Sequence, residues 1–206
     1  DEIATLSAQI AGMIRDIHAY INNLTQTNEA LDKANDTAAR MSALAQRDPL
    51  TGIRNRNGYN AEMSKLEKEI KKGGCEFGIA MIDLNYLKVT NDTYGHEKGN
   101  IAIKKLSNIV CHVFDHSPVF RIGGDEFVVV LRNDDYRKRE TLQELFMAKL
   151  QESQDDPTLE PWEKVSASIG IAIYEPARDK GTETVFKRAD AKMYENKKEM
   201  KAARKI

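Results

Sequence analysis

Val119-Phe120-Arg121-Ile122-Gly123-Gly124-Asp125-Glu126-Phe127-Val128-Val129-Val130-Leu131 is the stretch on which the fold is decided. Two β-rich runs, residues 119–122 and 127–131, meet through a Gly-Gly step, the pattern of a tight hairpin. Asp125 and Glu126 then stand at its tip, where side chains leave the core. Upstream, residues 77–84 read as a buried strand, residues 85–96 as an irregular stretch, and residues 97–113 as a helix through Ile101, Ile103, Leu106, Ile109 and Val110. Earlier still, Tyr59, Met63, Leu66 and Ile70 mark one face of a helix over 57–72 that Gly73-Gly74 closes. After the hairpin come a helix over 135–151, a polar loop with Pro157 and Pro161, a strand over 165–174 and a helix over 183–200. Strands interleave with helices while one pair is an adjacent hairpin. The expected class is therefore α/β in the α+β sense, a mixed sheet with a central hairpin flanked by helices, not a pure doubly wound fold.

The 206 residues carry 31 Lys and Arg against 32 Asp and Glu, a formal net charge of −1, and are 41% hydrophobic. That composition closes one real core and excludes disorder as the main state. It gives no general pull toward nucleic acid. The longest apolar run, 127–131, falls far short of the roughly 20 residues a membrane-spanning helix needs. Cys75 and Cys111 lie in apolar surroundings without metal-like spacing and read as reduced core thiols of a cytosolic protein. Asp1-Glu2-Ile3 is not a signal peptide, and the chain reads as a piece of something longer.

Residues 1–46 have a different texture. Three- and four-residue steps connect Leu6, Ile10, Met13, Ile17, Tyr20, Leu24, Thr27, Leu31, Ala34, Ala38, Met41 and Ala45, broken only by Thr27. A stripe with a 3.5-residue period makes a seam that one straight helix cannot bury alone, so this stalk is expected to form a parallel dimeric coiled coil. The domain of residues 47–206 begins where Asp48-Pro49-Leu50-Thr51-Gly52 supplies turn chemistry.

Asp83 ends a buried apolar strand and Asp125 sits at a hairpin tip. A carboxylate at the end of a hydrophobic strand is costly unless solvated or neutralised, and a second one beside it repels it. A magnesium ion, which takes oxygen ligands and substrate phosphates, would neutralise both. A strand end and a hairpin tip that each simply face water account for the two residues equally well.

The string Arg121 to Phe127 resembles the signature of the GGDEF domain, the catalytic module of diguanylate cyclases. Four further segments match in order: Asp48-Pro49-Leu50-Thr51-Gly52 with Asn55-Arg56; residues 82–99 with Asp83, Lys88, Asn91-Asp92, Gly95-His96 and Gly99; Ser166-Ala167-Ser168-Ile169-Gly170; and Ala189-Asp190-Ala191 with Tyr194 and Lys197. Residues 1–22 resemble the last helix of a HAMP relay module. The resemblance implies a palm-like sheet that binds one GTP per domain and condenses two GTP into cyclic di-GMP, working as a homodimer. It implies Mg2+ or Mn2+ held by Asp83, the Leu84 carbonyl and Asp125, with Glu126 nearby, and catalytic roles for Asp125, Glu126 and Lys88. It implies substrate contacts from Tyr86, Leu87, Asn91, His96, position 100, Gly123, Gly124, Lys197 and Lys201. The HAMP-like start implies the cytoplasmic portion of a membrane-anchored bacterial receptor. Taken alone, His96 is more often a loop histidine, and Lys192, Lys198, Arg204 and Lys205 read as a solvated face.

Three departures stand out. Asn100 replaces an Asp that would accept from both guanine donors, which puts base choice in question and raises ATP use or a mixed cyclic GMP-AMP product. Phe114-Asp115-His116-Ser117 stands where an inhibitory Arg-x-x-Asp would lie, so no product-feedback site is expected. Met200-Lys201-Ala202 replaces a Gly-Arg-Asn ending, and Lys lacks arginine's bidentate fork. A catalytically silent nucleotide-binding module is the other reading of the same resemblance, and a purely structural coiled-coil adaptor is a third.

Overall fold

The computed structural model describes residues 2–203. The chain divides into two compact units, Asp1–Ala45 and Gln46–Ile206. The first contains one helix, α1 (Glu2–Ala45), which runs through Gly12 without a break. Ile10, Met13, Ile17, Tyr20, Leu24, Leu31 and Met41 on it are each at least 44% exposed. Thr27, which interrupts the stripe, returns its hydroxyl to the Asn23 carbonyl at 2.8 Å and so carries its own hydrogen bond.

The second unit runs β1 (Arg54–Asn55), α2 (Arg56–Lys71), β2 (Gly78–Leu84), α3 (Leu87–Tyr94), α4 (His96–Val113), β3 (Val119–Arg121), β4 (Glu126–Leu131), α5 (Asn133–Arg137), α6 (Arg139–Asp155), β5 (Ala167–Ile173) and α7 (Thr182–Ala203). The sheet order is β1-β3-β4-β2-β5, with β1 and β3 parallel and every other pair antiparallel. Side chains alternate faces along a strand, and both faces are covered. Ala80, Ile82, Leu84, Phe127, Val129 and Leu131 pack under Ala102, Leu106 and Val110 of α4 and Phe146 of α6. Ile79, Met81, Val128 and Val130 pack under Met63 and Leu66 of α2 and Val185, Ala189 and Met193 of α7. Parity then puts Asp83, two residues past Met81, on the α7 face.

The last helix is fixed to β5 by its polar side chains. Arg188 donates to the Ile173 carbonyl, Lys192 to the Ile171 carbonyl, and Asn196 accepts from the Ile169 N–H. Four residues of helix rise about 6 Å and two residues of strand about 6.6 Å, so the i, i+4, i+8 row of α7 matches alternate positions of the edge strand running the other way. The row satisfies backbone groups that an edge strand would otherwise present to another chain. Lys192, expected on a solvated face, therefore has a structural partner. Lys198 lies 4.4 Å over the Tyr194 ring and is exposed, while Arg204 and Lys205 lie outside the described residues.

Several elements differ from expectation. The stretch read as irregular contains α3, eight residues with no buried member and rich in β-branched and Asn/Asp side chains, so it shows neither an apolar stripe nor helix propensity. Gly95, at φ 86°, separates it from α4. The helix expected over 135–151 begins earlier and is split at Lys138 into α5 and α6. The hairpin loop is wider than a two-residue turn. Arg121 pairs with Phe127, and both the Ile122 and Gly123 N–H groups donate to the Glu126 carbonyl.

Candidate active site

Asp83 lies on β2 between Glu126 of β4 and Ser168 of β5, directly opposite both in the sheet register. The Leu84 N–H donates to the Asp125 carbonyl at 2.9 Å, which joins the end of β2 to the hairpin loop. Residues more than forty positions apart in sequence thus converge at one end of two central strands. Asp83 is only 7% exposed. Lys197 of α7 donates to its Oδ1 at 2.5 Å.

Burial pushes the Asp83 carboxyl above its ordinary range. Lys197 opposes that shift, the negative charge of Asp125 adds to it, and Lys201 opposes it. Glu126 is raised as well, by burial first and then by Asp125 and Asp83. Mutual repulsion among the three carboxylates shows that their charges share one region. Lys201, though exposed, acts on Asp83 from the same helix as Lys197.

The loop between β3 and β4 is held by two arginines. Arg56 donates to the Ile122 carbonyl at 2.8 Å, and Arg121 to the Gly124 carbonyl at 2.7 Å. Arg121 is itself held by Asp48, whose carboxylate takes its guanidinium at 3.1 Å and also the N–H and hydroxyl of Thr51. Burial opposes ionisation of Asp48, but the Thr51 hydrogen bonds and Arg121 outweigh it and hold the carboxyl below the usual range. Asn55 accepts from the Asn57 and Gly58 N–H groups and so starts α2, which carries Arg56. The opening Asp-Pro-Leu-Thr-Gly and Asn-Arg segments therefore brace the hairpin tip. That role joins positions some seventy residues apart and left no signal in local sequence beyond an Asp and an Arg in turn-like surroundings.

The two loop glycines differ. A Cβ on Gly123 would collide with the Glu126 carboxylate, whereas one on Gly124 would meet nothing within 4 Å. Gly124 thus presents open backbone beside Asp125. Across the site, Tyr86 adopts a left-handed conformation (φ 62°) ahead of α3, an uncommon state for a non-glycine residue that turns the chain sharply after β2. Leu87 packs partly against the α4 face, and Lys88 is exposed on the first turn of α3. Asn91 lies against Gly99 so closely that any side chain there would strike its Oδ1. His96 and Asn100 are exposed on the first two turns of α4. A cleft of about 480 Å³ extends from residues 84–87 past Thr90 and Tyr94 to Trp162 and Ser166, and neither Asp83 nor Asn91 lines it.

The donor set suits a hard divalent cation. The Leu84 N–H ties the Asp125 loop to the end of β2, and Asp83 is buried with an ammonium against it, a demand for positive charge already visible in the protein. No His or Cys enters this group.

Residues 45–203 match the family described as "Diguanylate cyclase, GGDEF domain". The probable diguanylate cyclase DgcT of Escherichia coli (strain K12) is 30% identical over 156 residues, covering 75% of this chain and 34% of that protein. An uncharacterized membrane protein of Staphylococcus aureus (strain USA300) is 28% identical over 144 residues, covering 69% of this chain and 40% of that protein. The chain spans about a third to two fifths of the length of these curated relatives. The crystal structure of the coiled coil and GGDEF domain of DgcB from Caulobacter crescentus, in complex with c-di-GMP, superposes with a TM-score of 0.71 at 23% identity, covering 85% of this chain and 93% of that one.

Proposed function

This chain belongs to the diguanylate cyclase GGDEF family, and on that premise we propose that it condenses two GTP into cyclic di-GMP and two pyrophosphates, one nucleotide being held by each of two copies. The observation that carries the reading is the convergence of Asp83, Asp125 and Glu126 with Lys197 at the ends of β2 and the β3–β4 loop.

Asp83, Asp125 and the Leu84 carbonyl would hold Mg2+ or Mn2+, with Glu126 nearby; when bound, the metal supplies charge neutralisation at the phosphates. Asp125 assists removal of the proton from the attacking 3′-hydroxyl. Lys88 and the backbone N–H groups around Tyr86 and Leu87 receive phosphate oxygens, and Lys197 and Lys201 reach the terminal phosphate from α7. Gly124 leaves room for the nucleotide along bare backbone, with Gly123 shaping the loop beside it. Asn91, placed by Gly99, His96 and Asn100 line the base side.

Each copy brings one 3′-hydroxyl and one α-phosphate, so the product needs two copies facing each other. The exposed stripe of α1 would pair them as a coiled coil and raise the local concentration of one domain near the other. Among the described residues no helix is long and apolar enough to cross a membrane; anchoring would come from sequence outside residues 1–206, in line with the membrane designation of the staphylococcal relative.

Asn100 favours a second reading of the same chemistry. Guanine offers two donors on the edge in question, and an amide can accept only one of them, whereas adenine presents an acceptor and a donor that an amide matches. Mass spectrometry of products from GTP, from ATP and from an equal mixture, with Mg2+, tests both. Cyclic di-GMP alone from the mixture upholds guanine choice, a mixed cyclic dinucleotide shows that Asn100 has relaxed it, and no product from any supply contradicts the enzyme.

A further inference from the structure

Helix α4 ends at Val113, and the buried Phe114 that caps it turns the next two residues outward. Ser117 then ties this turn to the far side of the hairpin, its hydroxyl accepting from the Arg132 N–H at 3.2 Å. Arg132 starts α5, and three residues on Asp135 is brought beneath the turn. Asp135 is only 3% exposed, while the side chains of Asp115 and His116 are 63% exposed.

His116 Nδ1 lies 2.5 Å from Asp115 Oδ1 and 3.5 Å from Asp135 Oδ1. One ring nitrogen carries at most one proton, so it serves one carboxylate and leaves the other short. Asp115 is the nearer of the two. Asp135 Oδ2 has no hydrogen-bond partner among the described residues. A buried carboxylate oxygen without a hydrogen bond is costly, and native structures rarely leave such an atom unexplained. A proton on the imidazole cannot satisfy both acids at once, but a divalent cation bound to all three groups can.

We propose that Asp115, His116 and Asp135 form a divalent transition-metal site, of Zn2+ class, separate from the nucleotide site. Their ligand atoms lie within 4.8 Å of one another. Zinc takes imidazole nitrogen and carboxylate oxygen at about 2.0–2.2 Å, which in a tetrahedron spaces ligand atoms about 3.4 Å apart, so the His116–Asp135 pair already fits and the exposed Asp115 side chain must part from His116 by about an ångström to admit the ion. An imidazole with two carboxylates selects Zn2+, Co2+ or Mn2+ over Mg2+, which prefers oxygen ligands alone, and among these divalent ions affinity is highest for Zn2+. Three protein ligands leave a fourth position for water. Bound metal would clamp the end of α4, the entry to β3 and the start of α5. None of the three residues belongs to the Asp83 group.

Calorimetric titration of Zn2+ into the full 206-residue chain, together with Co2+ visible absorption, tests this in wild type, His116→Ala and Asp115→Asn. Both variants change exposed side chains and should fold, whereas Asp135→Asn alters a buried one. Wild type is expected to bind a Zn2+ equivalent that either variant loses or binds at least about tenfold more weakly, in keeping with what even an indirect ligand defect costs. The Co2+ bands should fall with it, while an Asp83→Asn chain keeps them. Equal Zn2+ stoichiometry and affinity in wild type, His116→Ala and Asp115→Asn would overturn the site.

Discussion

At the residue scale the site is under electrostatic tension in the metal-free protein. Asp83 and Glu126 hold their protons more tightly folded than unfolded, because burial and neighbouring carboxylates disfavour their charged forms. A raised carboxyl contributes stability that is fully present below the unfolded value and is lost as pH rises through the folded one. The metal-free chain should therefore lose stability as pH rises through the raised Asp83 value. Asp83→Asn is expected to leave its melting temperature unchanged or higher above that window, while removing the stabilisation that Mg2+ with a GTP analogue gives wild type. A fall in metal-free stability accompanied by retained Mg2+ stabilisation would contradict this. Metal binding displaces those protons, so Mg2+ affinity should weaken on acidification earlier than for ordinary carboxylates, which a titration series in pH would show. Asp83, Asp125 and Glu126 were legible in the sequence because a carboxylate ending an apolar strand or crowning a hairpin is conspicuous. Arg121 was legible only as part of a signature. Its bond to Asp48 joins residues 73 positions apart and its bond to the Gly124 carbonyl fixes the loop. Arg121→Ala should cost about 2 kcal/mol in urea unfolding, the scale of a lost charged hydrogen bond, and lower kcat by loosening the loop that carries Asp125.

At the element scale, α7 decides whether Lys197 reaches Asp83. The helix lies so close over β5 that a Cβ on Gly170 would strike the Met193 N–H and the Ala189 carbonyl. Backbone on both sides cannot give way cheaply. Gly170→Ala should destabilise the domain by about 1–3 kcal/mol and weaken triphosphate binding by lifting α7, and chemical denaturation with nucleotide titration reads both. Gly124→Ala, facing open space, should leave stability nearly unchanged and lower nucleotide affinity. Periodicity revealed α2 and α4, since each buries an apolar stripe, and the hairpin announced itself through its glycines. Helix α3 was invisible for the converse reason: it buries no residue, and it is held by its junctions, the left-handed Tyr86 before it and Gly95 after it. The two-residue β1 is likewise too short for any pattern, and the parallel register that places it beside β3 follows from tertiary structure alone.

At the scale of the whole molecule, the proposed reaction would require two half-sites, and the exposed stripe of α1 would pair them. Chains lacking residues 1–45 should retain the fold of the second unit, which has its own core, yet lose most of their specific activity at dilute protein concentration and recover it as concentration rises. Activity per domain that is independent of both truncation and dilution would dissociate the helix from the chemistry. The α+β class could be read from periodicity because strands and helices interleave around one adjacent hairpin. The order in which strands assemble could not, since pairing β2 between β4 and β5 is a choice among packings with the same local pattern. That pairing is what sets Asp83 beside the hairpin tip. The most direct test of the account is calorimetric titration of a non-hydrolysable GTP analogue into wild type and Asp83→Asn, with and without Mg2+. The account predicts binding to wild type that requires Mg2+ and fails in the variant; a flat wild-type titration, or equal binding by Asp83→Asn, would contradict it.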